Sequence, residues 1–159
     1  MNIKFPYRKI LVVCSVNTAR SRMAEGFLQD FFSKLNLDVE VYSGGIASNA
    51  RDGMLISMDA KLAMSEIGIN LSENALSRDL KKYPELITEA DLILTLTNKH
   101  REQIHKIFSI DSRDILTIKE FGGETGDIDD PSMKELEGFR IARNEIIDSL
   151  MKGLNKYEF

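Results

Sequence analysis

Apolar residues recur along this chain with two alternating periods. From Arg8 to Val13 the apolar run is near-continuous, which predicts a strand buried on both faces of a parallel sheet. Met23, Phe27, Leu28, Phe31 and Leu35 then recur every three or four positions and predict a helix from about Arg20 to Lys34, with Asn36 near its end. Asp38 to Tyr42, carrying β-branched Val39 and Val41, read as a second short strand that Ser43-Gly44-Gly45 breaks; a polar loop runs on to Asp52. A second helix is expected over Leu55 to Glu66, its stripe made of Leu55, Met58, Leu62 and Ile67, with Gly68 in the place of a C-terminal cap. Leu71 to Leu80 read as loop with a helical turn, and Pro84 to Ala90 as another turn leading into a third strand, Asp91 to Leu96. Asn98 is placed to cap a helix through Phe108. Ile115 to Ile118 make a fourth strand, Gly122 to Pro131 an acidic glycine-rich loop, and Met133 to Leu154 the last helix, with Leu136, Phe139, Ile146, Ile147 and Leu150 inward.

Strands alternating with helices imply βαβ units, right-handed crossovers and an α/β fold whose parallel sheet has helices on both faces. No repeat, linker or low-complexity tract divides the chain, so one doubly wound domain over residues 1–159 is expected. Ligands of such folds bind beyond the carboxyl ends of strands, which is where Val13 leads.

Composition narrows the partners. With 43% hydrophobic and 29% charged residues the chain is ordinary for a soluble globular protein, and a net charge of -4 argues against nucleic acid or an anionic membrane. Met1 to Tyr7 lack the apolar core of a signal peptide, and no apolar run reaches membrane-spanning length. One cysteine allows no internal disulfide, which suits a reducing cytoplasm.

That cysteine, Cys14, follows the first strand and begins the pattern C-x5-R-S: Cys14, then Ser15, Val16, Asn17, Thr18 and Ala19, then Arg20 and Ser21 at the helix start. Five intervening residues can wrap a tetrahedral oxyanion with successive N–H groups. The positive helix end, Arg20 and the Ser21 hydroxyl favour a thiolate beneath it, and Arg20 can grip two oxygens bidentately. Taken alone, Cys14 also fits a core cysteine at a strand end; the register of Arg20-Ser21 with the helix start tips the balance to a phosphoryl-transfer nucleophile. Asp130 before Pro131 is the matching leaving-group acid, because proline biases it to extended backbone. Taken alone, Asp127, Asp129 and Asp130 fit a solvated acidic loop and helix cap better than an acid role, because acidic residues before a helix are commonplace. His100 and His105, five apart and off one helix face, read as surface or packing residues, and Arg22 and Arg51 as solvated charge near the mouth.

Together these residues resemble the low-molecular-weight protein tyrosine phosphatases and their arsenate-reductase relatives. Val13 through Ser21 is similar to that family's phosphate-binding loop, and Met23-Ala24-Glu25 to its first helix. Tyr42-Ser43-Gly44-Gly45 is similar to its second strand end, Glu89 through Leu94 to its third strand, and Asp130-Pro131 to its general-acid loop. The resemblance implies a three-layer α/β/α domain with a four-stranded parallel sheet in the order 2-1-3-4 and the phosphate loop after strand 1. It implies that Cys14 attacks phosphorus, that Asp130 protonates the leaving group and later activates water, and that Arg20 and the amides of Ser15 to Ser21 hold the phosphoryl oxygens. It also implies a left-handed Asn17 braced by Ser21 and Ser43, with Pro131 supporting the acid loop, and no metal or cofactor. The partner implied is a phosphorylated protein, with inorganic phosphate or another oxyanion in the loop.

Four positions depart from the family pattern. Val16 stands where glycine is usual and, being β-branched, is expected to keep a negative φ. Ala19 replaces a frequent second cysteine, so an oxidised Cys14 has no resolving partner; Arg22 replaces a frequent proline, and Ser132 an aromatic that walls a phosphotyrosine ring. Thr18 resembles the threonine of bacterial protein-arginine phosphatases, so phosphoarginine stands beside phosphotyrosine, the family default. An arsenate reductase drawing on an external thiol, and a phosphate-binding or phosphocysteine carrier module, are the other readings; Asp130 discriminates the carrier, which needs no acid.

Overall fold

The computed structural model describes residues 3–108 and 114–159. Its elements in chain order are β1 (Ile3–Lys4), β2 (Lys9–Cys14), α1 (Arg20–Lys34), β3 (Glu40–Gly45), α2 (Met58–Ser65), a 3-10 turn (Leu80–Lys82), α3 (Pro84–Glu89), β4 (Leu92–Thr95), α4 (Asn98–Ile107), β5 (Asp114–Thr117), α5 (Ile118–Phe121), α6 (Glu135–Leu154) and β6 (Tyr157–Glu158). β3, β2, β4 and β5 make an all-parallel sheet in that order, which is the expected 2-1-3-4 arrangement of the four sequence-predicted strands.

The continuous apolar run of β2 is explained by its place at the centre. Ile10, Val12 and Cys14 face a core completed by α1, α2, α5 and α6, while Leu11 and Val13 face a second core with Leu80, Ile87, Ile93 and Ile104. α6 is tied to α2 by Arg143, whose Nη1 donates to Ala63 O at 2.7 Å and to Glu66 Oε1 at 2.8 Å.

Several expectations shift. β3 does not break at Ser43 but runs to Gly45, because its glycines meet parts of the chain distant in sequence. A Cβ on Gly45 would lie 2.6 Å from Ser15 O, and one on Gly44 2.5 Å from the Leu80 side chain. α2 starts at Met58, since Leu55 pairs instead in an antiparallel bridge with Leu76. Its expected stripe of Leu55, Met58, Leu62 and Ile67 is exposed; small Ala60 and Ala63, with Met64, face inward. Thr97, not Asn98, caps α4, its hydroxyl accepting from His100 N. α6 begins at Glu135 rather than Met133; Met133 and Glu135 are themselves left-handed (φ 69° and 57°). Unforeseen was the two-stranded parallel sheet of β1 and β6, which joins the two ends of the described chain.

Candidate active site

The loop from Cys14 to Ser21 links the carboxyl end of β2 to α1. Its curvature rests on one left-handed residue, Asn17 (φ 65°); Val16 keeps a φ outside that region, as its branched side chain requires. The Asn17 N–H donates to Cys14 Sγ at 3.2 Å, and Ser21 Oγ lies 2.9 Å from the same sulfur. Cys14, Asn17 and Ser21 are all buried.

The loop is pinned from outside. Ile46 N donates to Cys14 O at 3.0 Å, Ala47 N to Ser15 O at 3.1 Å and Ser57 N to Thr18 O at 2.8 Å. The Asn17 amide nitrogen donates to Ser21 Oγ at 2.8 Å and Ser43 Oγ at 2.9 Å, while Arg78 N donates to its oxygen at 3.0 Å. α1 has no side-chain cap and no acid in its first turn, so its positive end and unpaired first N–H groups remain for an anion.

Arg20 joins this loop to the acidic one. Its Nη1 donates to Ile128 O at 2.7 Å, and Ile128 N in turn donates to Leu96 O at the end of the third sheet strand. Asp130 follows two residues on. Burial works to raise its carboxyl, but hydrogen bonds from Ser132, whose N–H lies 3.0 Å from Oδ1, and the charges of Arg20 and Lys134 hold it below the ordinary value. Pro131 is buried beneath the loop. The acidic loop does not cap the helix that follows it, since α6 has no side-chain cap; Asp127 Oδ1 accepts instead from Asn98 N, at the start of α4, at 2.8 Å. Among the described residues no group of three His, Cys, Asp or Glu side chains is placed to hold a metal ion, and no helix is long and apolar enough to cross a membrane.

One residue narrows the sequence expectation and one departs from it. Of the surface and packing readings, His100 takes the packing one: it is 2% exposed, with Nε2 2.9 Å from Ser15 Oγ. Burial first, then the charges of Arg20 and Lys99, push its ring down to about 4 against the opposing pull of Asp130. The signal was its spacing of four from buried Ile104, which puts both on one helix face. Arg22 is likewise buried, paired with Glu25 at 3.0 Å. Arg51 is exposed, as expected.

The model of the low molecular weight phosphotyrosine protein phosphatase family matches residues 9–157. A protein-arginine-phosphatase of Geobacillus stearothermophilus is 38% identical over 94% of this chain and 97% of its own length. The low molecular weight protein-tyrosine-phosphatase PtpB of Staphylococcus haemolyticus is 32% identical over 87% of this chain and 92% of its own. Among solved structures, a low molecular weight protein tyrosine phosphatase from T. tengcongensis superposes with a TM-score of 0.84 at 30% identity, covering 94% of this chain and 99% of that one.

Proposed function

Because this chain belongs to the low molecular weight phosphotyrosine protein phosphatase family, we propose that it hydrolyses phosphorylated proteins through a phosphocysteine on Cys14. The observation that carries this is the sulfur's setting, a buried Cys14 that receives the Asn17 N–H and faces the Ser21 hydroxyl below an uncapped helix end. The thiolate attacks phosphorus in line, the bond to the leaving atom breaks, and Asp130 delivers a proton to that atom. Water, losing a proton to Asp130, then attacks the phosphocysteine, releasing inorganic phosphate and restoring the thiolate. Arg20 and the amides of Ser15 to Ser21 hold the equatorial oxygens as charge develops. Residues 1–159 act here as one domain.

For the phosphorylated side chain we infer phosphoarginine. Thr18 puts a small polar wall on the loop, and the segments 46–58 and 122–134 contain no aromatic residue to stack on a phenol ring. The Geobacillus relative is a protein-arginine-phosphatase. Phosphotyrosine is the second reading, favoured by the Staphylococcus relative's stated activity. Turnover of matched phosphoarginine and phosphotyrosine peptides, with Cys14→Ser as blank, tests both. Preference for phosphoarginine that Thr18→Ile moves toward phosphotyrosine is expected; a wild-type preference for phosphotyrosine would remove the arginine reading, and unchanged selectivity in Thr18→Ile would remove Thr18 from it.

A further inference from the structure

Behind the loop the hydrogen bonds continue past Ser43. Ser43 Oγ donates to Glu25 Oε1 at 2.8 Å, and the same oxygen accepts from Arg22 Nη1 at 3.0 Å. Both ionic residues lie early in α1 and are nearly enclosed, Arg22 7% and Glu25 8% exposed. The other amino group of Arg22 donates to Leu76 O, so the guanidinium is anchored on two sides. Its buried Nε has no hydrogen-bond partner among the described residues. Such a pair stabilises little by itself, since apolar residues of similar volume often do as well or better.

The chain of bonds has a direction. A carboxylate only accepts, so Ser43 gives its one proton to Glu25 and presents its lone pairs to Asn17. The Asn17 oxygen is taken by Arg78 N–H, which turns the amide nitrogen toward Ser43 and Ser21. With Asn17 donating to Ser21 Oγ, the Ser21 proton is free for the Cys14 sulfur 2.9 Å away. We propose that Arg22 and Glu25 are positioning residues, a buried ion pair that fixes the direction of the Ser43–Asn17–Ser21 chain so that it ends in a proton donated to the Cys14 thiolate. Arg22, a permanent cation, matches a carboxylate that must only accept. Neither residue touches the reacting atoms.

The proposal rests on Cys14 as nucleophile, yet its test needs no phosphorylated substrate. Alkylation of Cys14 by iodoacetamide at pH 6 reads thiolate directly, and stays measurable if no phosphoprotein is turned over. Arg22→Met is expected to slow alkylation about five-fold while the protein still melts cooperatively, the size of one misdirected hydrogen bond. Arg22→Lys should recover most of that rate. Ser43→Ala cuts the link, so adding Arg22→Met to it should slow alkylation no further. Wild-type alkylation in folded Arg22→Met, or effects that multiply in the double variant, would overturn the proposal. Should Arg22→Met fail to fold, Glu25→Gln carries the same comparison with and without Ser43→Ala.

Discussion

The two rims of the sheet are built from opposite materials. At the carboxyl ends of β2 and β3 a buried polar net of Asn17, Ser21, Ser43, Glu25 and Arg22 surrounds Cys14. At the other rim lie Phe5, Tyr7, Phe31, Phe32, Tyr157 and Phe159, with ring centroids mostly 5.2–6.4 Å apart. The aromatic rim closes β1 onto β6, and Phe5 N donates to Glu158 O at 3.1 Å. Aromatic burial contributes stability in proportion to area. A buried polar net contributes little net stability, but it holds a sulfur and a helix end in one geometry. Stability and reactivity are therefore carried at separate ends, and substitutions should separate them.

The largest effect is expected at the polar rim. Cys14→Ser should lower turnover of any phosphoprotein by about 10⁴-fold or more, as removal of a nucleophile does elsewhere, with the melting curve nearly unmoved. Asp130→Asn should cost about 10²- to 10⁴-fold on substrates with poor leaving groups, and much less on an aryl phosphate whose leaving group needs no proton; steady-state rates across a leaving-group series check this. An equal loss across the series would remove Asp130 from the acid role. Phe32→Ala makes the converse case. Phe32 is buried, with Phe5 and Phe31 rings at 5.3 Å, so about 3–5 kcal/mol of stability should go, by denaturant titration. Per folded molecule, turnover should stay within about two-fold, the span left when distant sites act independently. A larger loss would mean that the rims are coupled.

How much of this could be read from the sequence follows the same division. The C-x5-R-S pattern and the central apolar strand are local signals, and each lies where expected; the α1 stripe holds at Met23 and Leu28, while Leu35 is exposed and Phe32 is buried instead. What was misread depends on partners far along the chain. Gly44 and Gly45 look like a strand break until Leu80 and Ser15 are seen against them. α2 carries apolar residues on two sides, Met58 and Leu62 on one and Ala60, Ala63 and Met64 on the other, with Asp59 and Lys61 between them; Ala60 and Ala63 win because small side chains let it approach α6. Arg22 and Glu25 do stand three apart on one helix, but nothing local says that Ser43 lies between them and Asn17.

His100 gives the smallest expected effect and tests the polar rim by pH alone. The ring is buried against Ser15, and its Nδ1 has no hydrogen-bond partner among the described residues. An unpaired buried acceptor is more readily tolerated than an unpaired N–H, so the neutral ring carries its proton on Nε2 and donates it to Ser15 Oγ. Burial, with the charges of Arg20 and Lys99, holds the folded ring near 4 when an unfolded histidine titrates at about 6.5. Below 6.5 the unfolded chain binds a proton that the folded one refuses, so unfolding is favoured as pH falls. The stability that depends on neutral His100 is complete above about 6.5 and drains away toward pH 4, by about 3 kcal/mol in all. Denaturant titrations between pH 7 and pH 4 should show that slope in the wild-type protein and a shallower one in His100→Asn. The Asn amide can still reach for Ser15 but cannot take up a proton. Equal slopes in the two proteins would mean that His100 is protonated as readily folded as unfolded, and that the loop tolerates a third cation beside Arg20 and Lys99.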